Sequence, residues 1–189
     1  MTDARRLSQA ISEGDGISIL VHVRDLAEAA AAESQGAEGT AITEHIEGIR
    51  EATTLPIVWL GPGAPADADA CLLVVEDAAD DLDAAYKRAR SGGLECIVDV
   101  RDDEELQIAL ERIDPEIFLL SSRDTEEDDD PLDAVLELLP DVPAGKLAIA
   151  EIDVHTRDEV LALERAGIDA VLVPAGNVAG LVGGAPPEV

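Results

Sequence analysis

Residues 94–110 read LECIVDVRDDEELQIAL, and the reading of this stretch decides the fold. Residues 96–100 form a short, nearly continuous apolar run, the pattern of a parallel strand whose outer face is covered. Residues 102–112 then change to helical periodicity, with acids at the start and Arg112 at the end, as the helix dipole favours. A strand that passes straight into a helix is half of a βαβ unit. Outward from it, similar apolar runs recur at 17–23, 40–43, 56–60, 71–75, 117–120, 147–150 and 170–173. Helical patterns occupy 25–35, 80–91, 131–139 and 156–166, with Pro131 suited to a first helical turn. Gly36, Gly92, Gly93 and Gly167 stand where helices should stop.

This alternation predicts a parallel sheet built from βαβ units. Eight strands favour a compact, closed (β/α)8 TIM barrel, with residues 1–189 as a single domain. The 189 residues leave about 24 per unit, just under the usual lower limit for this fold. The alternative is a doubly wound open sheet, but no Gly-x-Gly-x-x-Gly or Gly-Lys-Ser/Thr follows the first strand. Two connections are short. Residues 44–54 have room for one brief helix. Residues 61–69, GPGAPADAD, are broken by Pro62 and Pro65 and predict that the outer helix after the third strand is missing.

Asp and Glu total 42 against 13 Lys and Arg, a net charge of −29 that argues against nucleic acid as a partner. Hydrophobic residues make up 47%, enough for a core despite that charge. No apolar run approaches the ~20 residues of a membrane span, and MTDARR lacks the apolar segment of a signal peptide. A cytoplasmic protein without membrane association is expected. The acidity fits either adaptation to a saline cytoplasm or a GC-rich genome. The run at 126–130, EEDDD, reads as a solvated loop rather than a calcium loop. Cys71 and Cys96 lie in apolar surroundings and read as buried, reduced thiols on neighbouring strands, with a disulfide as the alternative.

Four segments in order carry a resemblance: LECIVDVRDDEELQIAL (94–110), IFLLSSRD (117–124), LAIAEIDVHTRDEV (147–160) and AGIDAVLVPAG (166–176). They resemble the fifth to eighth units of indole-3-glycerol phosphate synthase, a family that closes tryptophan's indole ring in a phosphate-binding (β/α)8 barrel. GAEGTAITE (36–44), LPIVWL (55–60) and ADACLLVV (68–75) extend the likeness more faintly into the first half. The resemblance implies a carbon–carbon lyase, a tryptophan-biosynthetic role and no cofactor or metal.

Carried over by position, the family's fifth-strand glutamate falls on Asp99, its asparagine after the sixth strand on Ser121, and its seventh-strand glutamate on Glu151. The family's first-strand Glu and Lys fall on His22 and Arg24. Its general-acid lysine after the third strand has no counterpart in Trp59-Leu60-Gly61-Pro62. The family's Ser-Gly after the seventh strand is replaced by Ile152-Asp153, whose carboxylate would repel a phosphate by about 1 to 4 kcal/mol. Gly176 and Asn177, after the eighth strand, remain as candidate phosphate-binding positions. The segment that covers the substrate after the first strand in the family is also missing.

His22, Asp99, Ser121 and Glu151 are therefore expected at the barrel mouth, either in a catalytic or ligand-binding role or as a polar relic. The three acid–base groups come from separate strands with no metal-ligand spacing, so no metal is assigned. His45 and His155 read as loop histidines, Phe118 as core, and Trp59 as core or substrate contact. The expected protein is a synthase-like barrel with a degraded site and weak or no synthase activity. The alternatives are a barrel repurposed for a small phosphorylated or anionic molecule, and a non-catalytic partner-binding barrel. A monomer is the expected state.

Overall fold

The computed structural model describes residues 7–14, 16–63, 67–76, 81–121 and 130–182. Eight strands run β1 (Ser18–His22), β2 (Gly39–Ile42), β3 (Ile57–Trp59), β4 (Ala70–Val74), β5 (Glu95–Val100), β6 (Ile117–Ser121), β7 (Leu147–Glu151) and β8 (Ala170–Pro174). All neighbours pair in parallel, and β8 closes onto β1 from Ser18↔Ala170 to His22↔Pro174. The closed barrel excludes the open doubly wound sheet.

Side chains on a strand alternate between its two faces, and here the two faces define two apolar layers. Leu20, Ala41, Val58, Leu72, Ile97, Leu119, Ile149 and Leu172 fill the barrel interior. Val21, Cys71, Cys96, Val98, Phe118, Leu120 and Val171 face outward and pack under the helices. Phe118 is fully buried, as the sequence suggests. Trp59 belongs to the same outer layer, and its indole Nε1 donates to the Pro62 carbonyl at 3.1 Å. It is a core residue of that layer.

The outer helices are α2 (Leu26–Ser34), α3 (Ile49–Ala52), α4 (Leu82–Ser91), α5 (Asp103–Arg112), α6 (Pro131–Leu138), α7 (Arg157–Ala166) and the short α8 (Val178–Val182). Their starts follow from local capping chemistry. Asp25, Asp102 and Asp130 each accept a first-turn backbone N–H through the side chain. Thr156 and Glu159 form a reciprocal capping box at α7, and Gly167 at φ 105° ends that helix in the left-handed region. Between β3 and β4, the described residues 61–63 and 67–69 contain no helix. The connection is instead tied to the sheet. Asp69 Oδ2 accepts from Ile57 N at 2.8 Å and from Arg50 Nη2, on α3, at 2.6 Å.

One element was not expected. A further helix, α1 (Leu7–Glu13), precedes the first strand and closes the end of the barrel at the strands' N-termini. Leu7 and Ile11, one turn apart, pack into the interior layer with 0% and 4% exposure. The hydroxyl of Ser8 donates to the carboxylate of Glu95, an acid with only 5% exposure at the start of β5, and Ser8 N donates to it at 3.3 Å. The serine thus answers the desolvation that an inward-facing acid would otherwise suffer. The run 126–129 lies outside the described residues. Among the described residues no helix is long and apolar enough to cross a membrane.

Candidate active site

The parity that fixes the interior also fixes the rim of the barrel. His22, Asp99, Ser121 and Glu151 each stand two residues beyond an interior core residue, namely Leu20, Ile97, Leu119 and Ile149. All four therefore face inward at the strands' carboxyl ends, where barrel enzymes place their chemistry. The same rule places Thr43, Leu60, Val74 and Pro174 on the rim, one from each remaining strand. Thr43 and Pro174 were not singled out from the sequence, although the spacing from Ala41 and Leu172 points to both.

The four residues separate into two pairs by exposure. Asp99 and Ser121 are buried at 1% and 2%, whereas His22 and Glu151 are partly open. A cavity of about 460 Å³ opens at the mouth, lined by His22 and Glu151 with Asp130, Asp153, Leu132 and Pro174 among its other walls. Neither Asp99 nor Ser121 lines it. Ser121 and Glu151 are register partners, and the Ser121 hydroxyl donates to Glu151 Oε2 over a long 3.5 Å. His22 Nε2 lies 3.4 Å from the Thr43 hydroxyl. Both contacts sit at the weak limit of hydrogen-bond geometry. His45 and His155 are exposed, as expected for loop residues.

The cations lie elsewhere. The chain has two lysines, Lys87 and Lys146. Lys146 lies just before β7, at the opposite end of the barrel, with Nζ 2.7 Å from Asp114 Oδ1. Lys87 is exposed on α4. Arg24, two residues beyond His22, does not continue the strand into the mouth. Its side chain is 77% exposed and bends back to Glu28 on α2, with Nη2 2.6 Å from Oε1. That bond holds the Glu28 carboxyl below the usual carboxylate range and raises the Arg24 guanidinium. Arg101, two residues beyond Asp99, lies between Glu76 and Glu105 at 2.6 and 2.8 Å. The described walls of the cavity thus present three carboxylates and one imidazole, with no lysine or arginine among them.

Gly176 and Asn177 are exposed at the start of α8. The first-turn amides there already have protein partners. Ala179 N donates to Gln35 Oε1 at 3.2 Å, and Gly180 N to Asn177 Oδ1 at 3.3 Å. Among the described residues no cluster of three or more His, Cys, Asp or Glu side chains could hold a metal ion.

A closed barrel of eight parallel strands with helices outside is the architecture of the (β/α)8 fold. Among solved structures, the N-acetylmannosamine-6-phosphate 2-epimerase from Clostridium perfringens superimposes with a TM-score of 0.68, covering 87% of this chain and 88% of its own. At 15% identity that likeness concerns the fold alone. The sequence is more specific. The family profile described as indole-3-glycerol phosphate synthase matches residues 63–177, and this chain belongs to that family. The synthase of Geobacillus sp. (strain WCH70) is 30% identical over 139 residues, 68% of this chain and 54% of its own length. That of Acidithiobacillus ferrooxidans (strain ATCC 53993 / BNL-5-31) is 32% identical over 141 residues, covering 68% and 52%. The chain spans about half the length of the curated relatives it matches. The profile match begins after β3, so the units that carry His22, Arg24 and Leu60 lie outside it.

Proposed function

We propose that this protein is an indole-3-glycerol phosphate synthase-family barrel with little or no synthase activity. The observation that carries this reading is the charge of the mouth. Glu151, Asp153 and Asp130 line the cavity, while both lysines of the chain lie away from it. Ring closure and dehydration need a proton donor, and a phosphorylated substrate needs a cationic grip. General acid catalysis contributes roughly 10²–10⁴-fold, and correct orientation of the substrate contributes more. In the same reading His22, Asp99, Ser121 and Glu151 are the degenerate catalytic positions, and Gly176 and Asn177 the degenerate phosphate site. A phosphate at Asn177 would have to displace Gln35 or the Asn177 side chain from the first-turn amides.

The decisive assay is indole-3-glycerol phosphate formation by the purified chain, paired with complementation of a tryptophan auxotroph. No turnover, no rescue and no phosphate-dependent rise in melting temperature are expected. Turnover near 1 s⁻¹ that Glu151→Gln abolishes would show a site rebuilt from other residues.

A second reading keeps the mouth as a binding site for another small molecule. The cavity favours it, since about 460 Å³ lies within the size range of ligand pockets. A melting shift with a small molecule, lost in Glu151→Gln but without turnover, selects this reading. We further take residues 1–189 as one domain, acting as a cytoplasmic monomer without a cofactor. Sedimentation of the purified chain tests the monomer.

A further inference from the structure

Cys71 and Cys96 stand on the outer face of the barrel, on the side of β4 and β5 away from its interior. They are register partners on β4 and β5, and both belong to the layer under the helices. Adjacent strands lie about 4.8 Å apart, inside the Cα separation of ~4.4–6.8 Å that disulfides span. Both side chains are buried, at 2% and 4% exposure, and both are free thiols. The β3–β4 connection, whose described residues contain no helix, runs beside this wall. A cavity of about 730 Å³ opens there, lined by Gly61, Pro62, Cys71, Arg88 and Leu94 among others. Cys71 therefore borders a space that a small oxidant can enter, and Cys96 lies directly behind it.

We propose that Cys71 and Cys96 form a dithiol modification site that a peroxide converts into a disulfide across β4 and β5. The Cys71 sulfur attacks one oxygen of hydrogen peroxide. The O–O bond breaks, the second oxygen leaves as water, and Cys71 becomes a sulfenic acid. The Cys96 sulfur then attacks the Cys71 sulfur. The S–O bond breaks, a second water leaves, and the S–S bond forms. Two thiols are oxidised by two electrons and one peroxide is reduced to two waters. Local chemistry agrees with this division of roles. The hydrogen bond between the thiols lowers the Cys71 thiol below its usual range, so Cys71 is the better attacker. The same bond, with burial, pushes the Cys96 thiol up. The site does not depend on how the mouth functions.

The test is to reduce the folded chain, remove the reductant, and add hydrogen peroxide without denaturant. Intact mass and free-thiol counts are followed together. The expected product loses both thiols in step, is two hydrogens lighter, and yields one cross-linked peptide pair containing Cys71 and Cys96. Its melting temperature rises, and dithiothreitol reverses both changes. The folded Cys96→Ser chain should stop at a sulfenic acid on Cys71 that dimedone traps. Three results would overturn the proposal: thiols that stay unreacted, oxygen added to each cysteine without a cross-link, or disulfides only between chains.

Discussion

Glu159 shows how one residue can combine two roles at a helix start. Its carboxylate accepts from the backbone of His155 at 2.7 Å and of Thr156 at 2.9 Å, completing the α7 capping box. Those bonds hold its carboxyl below the usual range, as Arg112 does for Asp83 and Arg24 for Glu28. A carboxylate whose folded-state pKa is depressed contributes stability that is present above its unfolded pKa. That contribution is lost as pH falls through the folded value, so the window lies below about pH 4. Glu159→Gln keeps a hydrogen-bonding group but removes the charge. Its melting temperature should lie below that of the parent at neutral pH, and the gap should close in acid. A gap of constant size down to about pH 3 would contradict the charge argument. Thr156→Ala removes the other half of the box and should cost about 0.5–2 kcal/mol by denaturant titration. At the mouth, Leu60→Lys places a cation on the rim, yet it should not create synthase turnover. Asp130, Glu151 and Asp153 still line the cavity, and one amine cannot both donate a proton and grip a phosphate.

The eight strands were legible because each carries both its outer-layer and its interior residues in one short, nearly continuous apolar run. The end of each strand was legible too, since period-two alternation carries Leu20 to His22 and Ile149 to Glu151. Arg24 broke the pattern, because the chain turns into α2 at Asp25 and the guanidinium finds Glu28 a turn away. The helix α1 was not legible. Its seven residues, LSQAISE, bury only Leu7 and Ile11, so they lack the repeated apolar face that marks a longer helix. Its place comes from the open end of the barrel, which no local pattern encodes. That makes α1 a sharp test at this scale. Leu7→Ala should destabilise the chain by about 2–5 kcal/mol, and Ile11→Ala by a similar amount, in chemical denaturation. A loss below about 0.5 kcal/mol for Leu7→Ala, the level of a surface change, would mean that α1 does not seal the barrel.

For the molecule as a whole, charge and closure matter most. Ion pairs such as Arg112–Asp83 and Arg88–Asp81 lie at the surface, and each adds little stability, which salt reduces further. Against this stands the repulsion of a net −29, which salt also reduces. With so few cations, relief of repulsion should outweigh the lost pairs, and the melting temperature should climb with KCl into the molar range. A flat or falling curve would assign the acidity to genome composition rather than to a saline cytoplasm. Closure is uneven around the ring. β4 meets β5 over five register pairs but meets β3 over only two, Val58↔Ala70 and Trp59↔Cys71, beside the connection whose described residues contain no helix. Few hydrogen bonds resist separation there, so the ring should open at this seam well below the temperature at which it unfolds. In deuterium oxide, the amides of β3 should take up label before those of β5 and β6. A protease should nick the chain near residue 63 while the arc from β4 to β8, the part the family profile matches, stays folded.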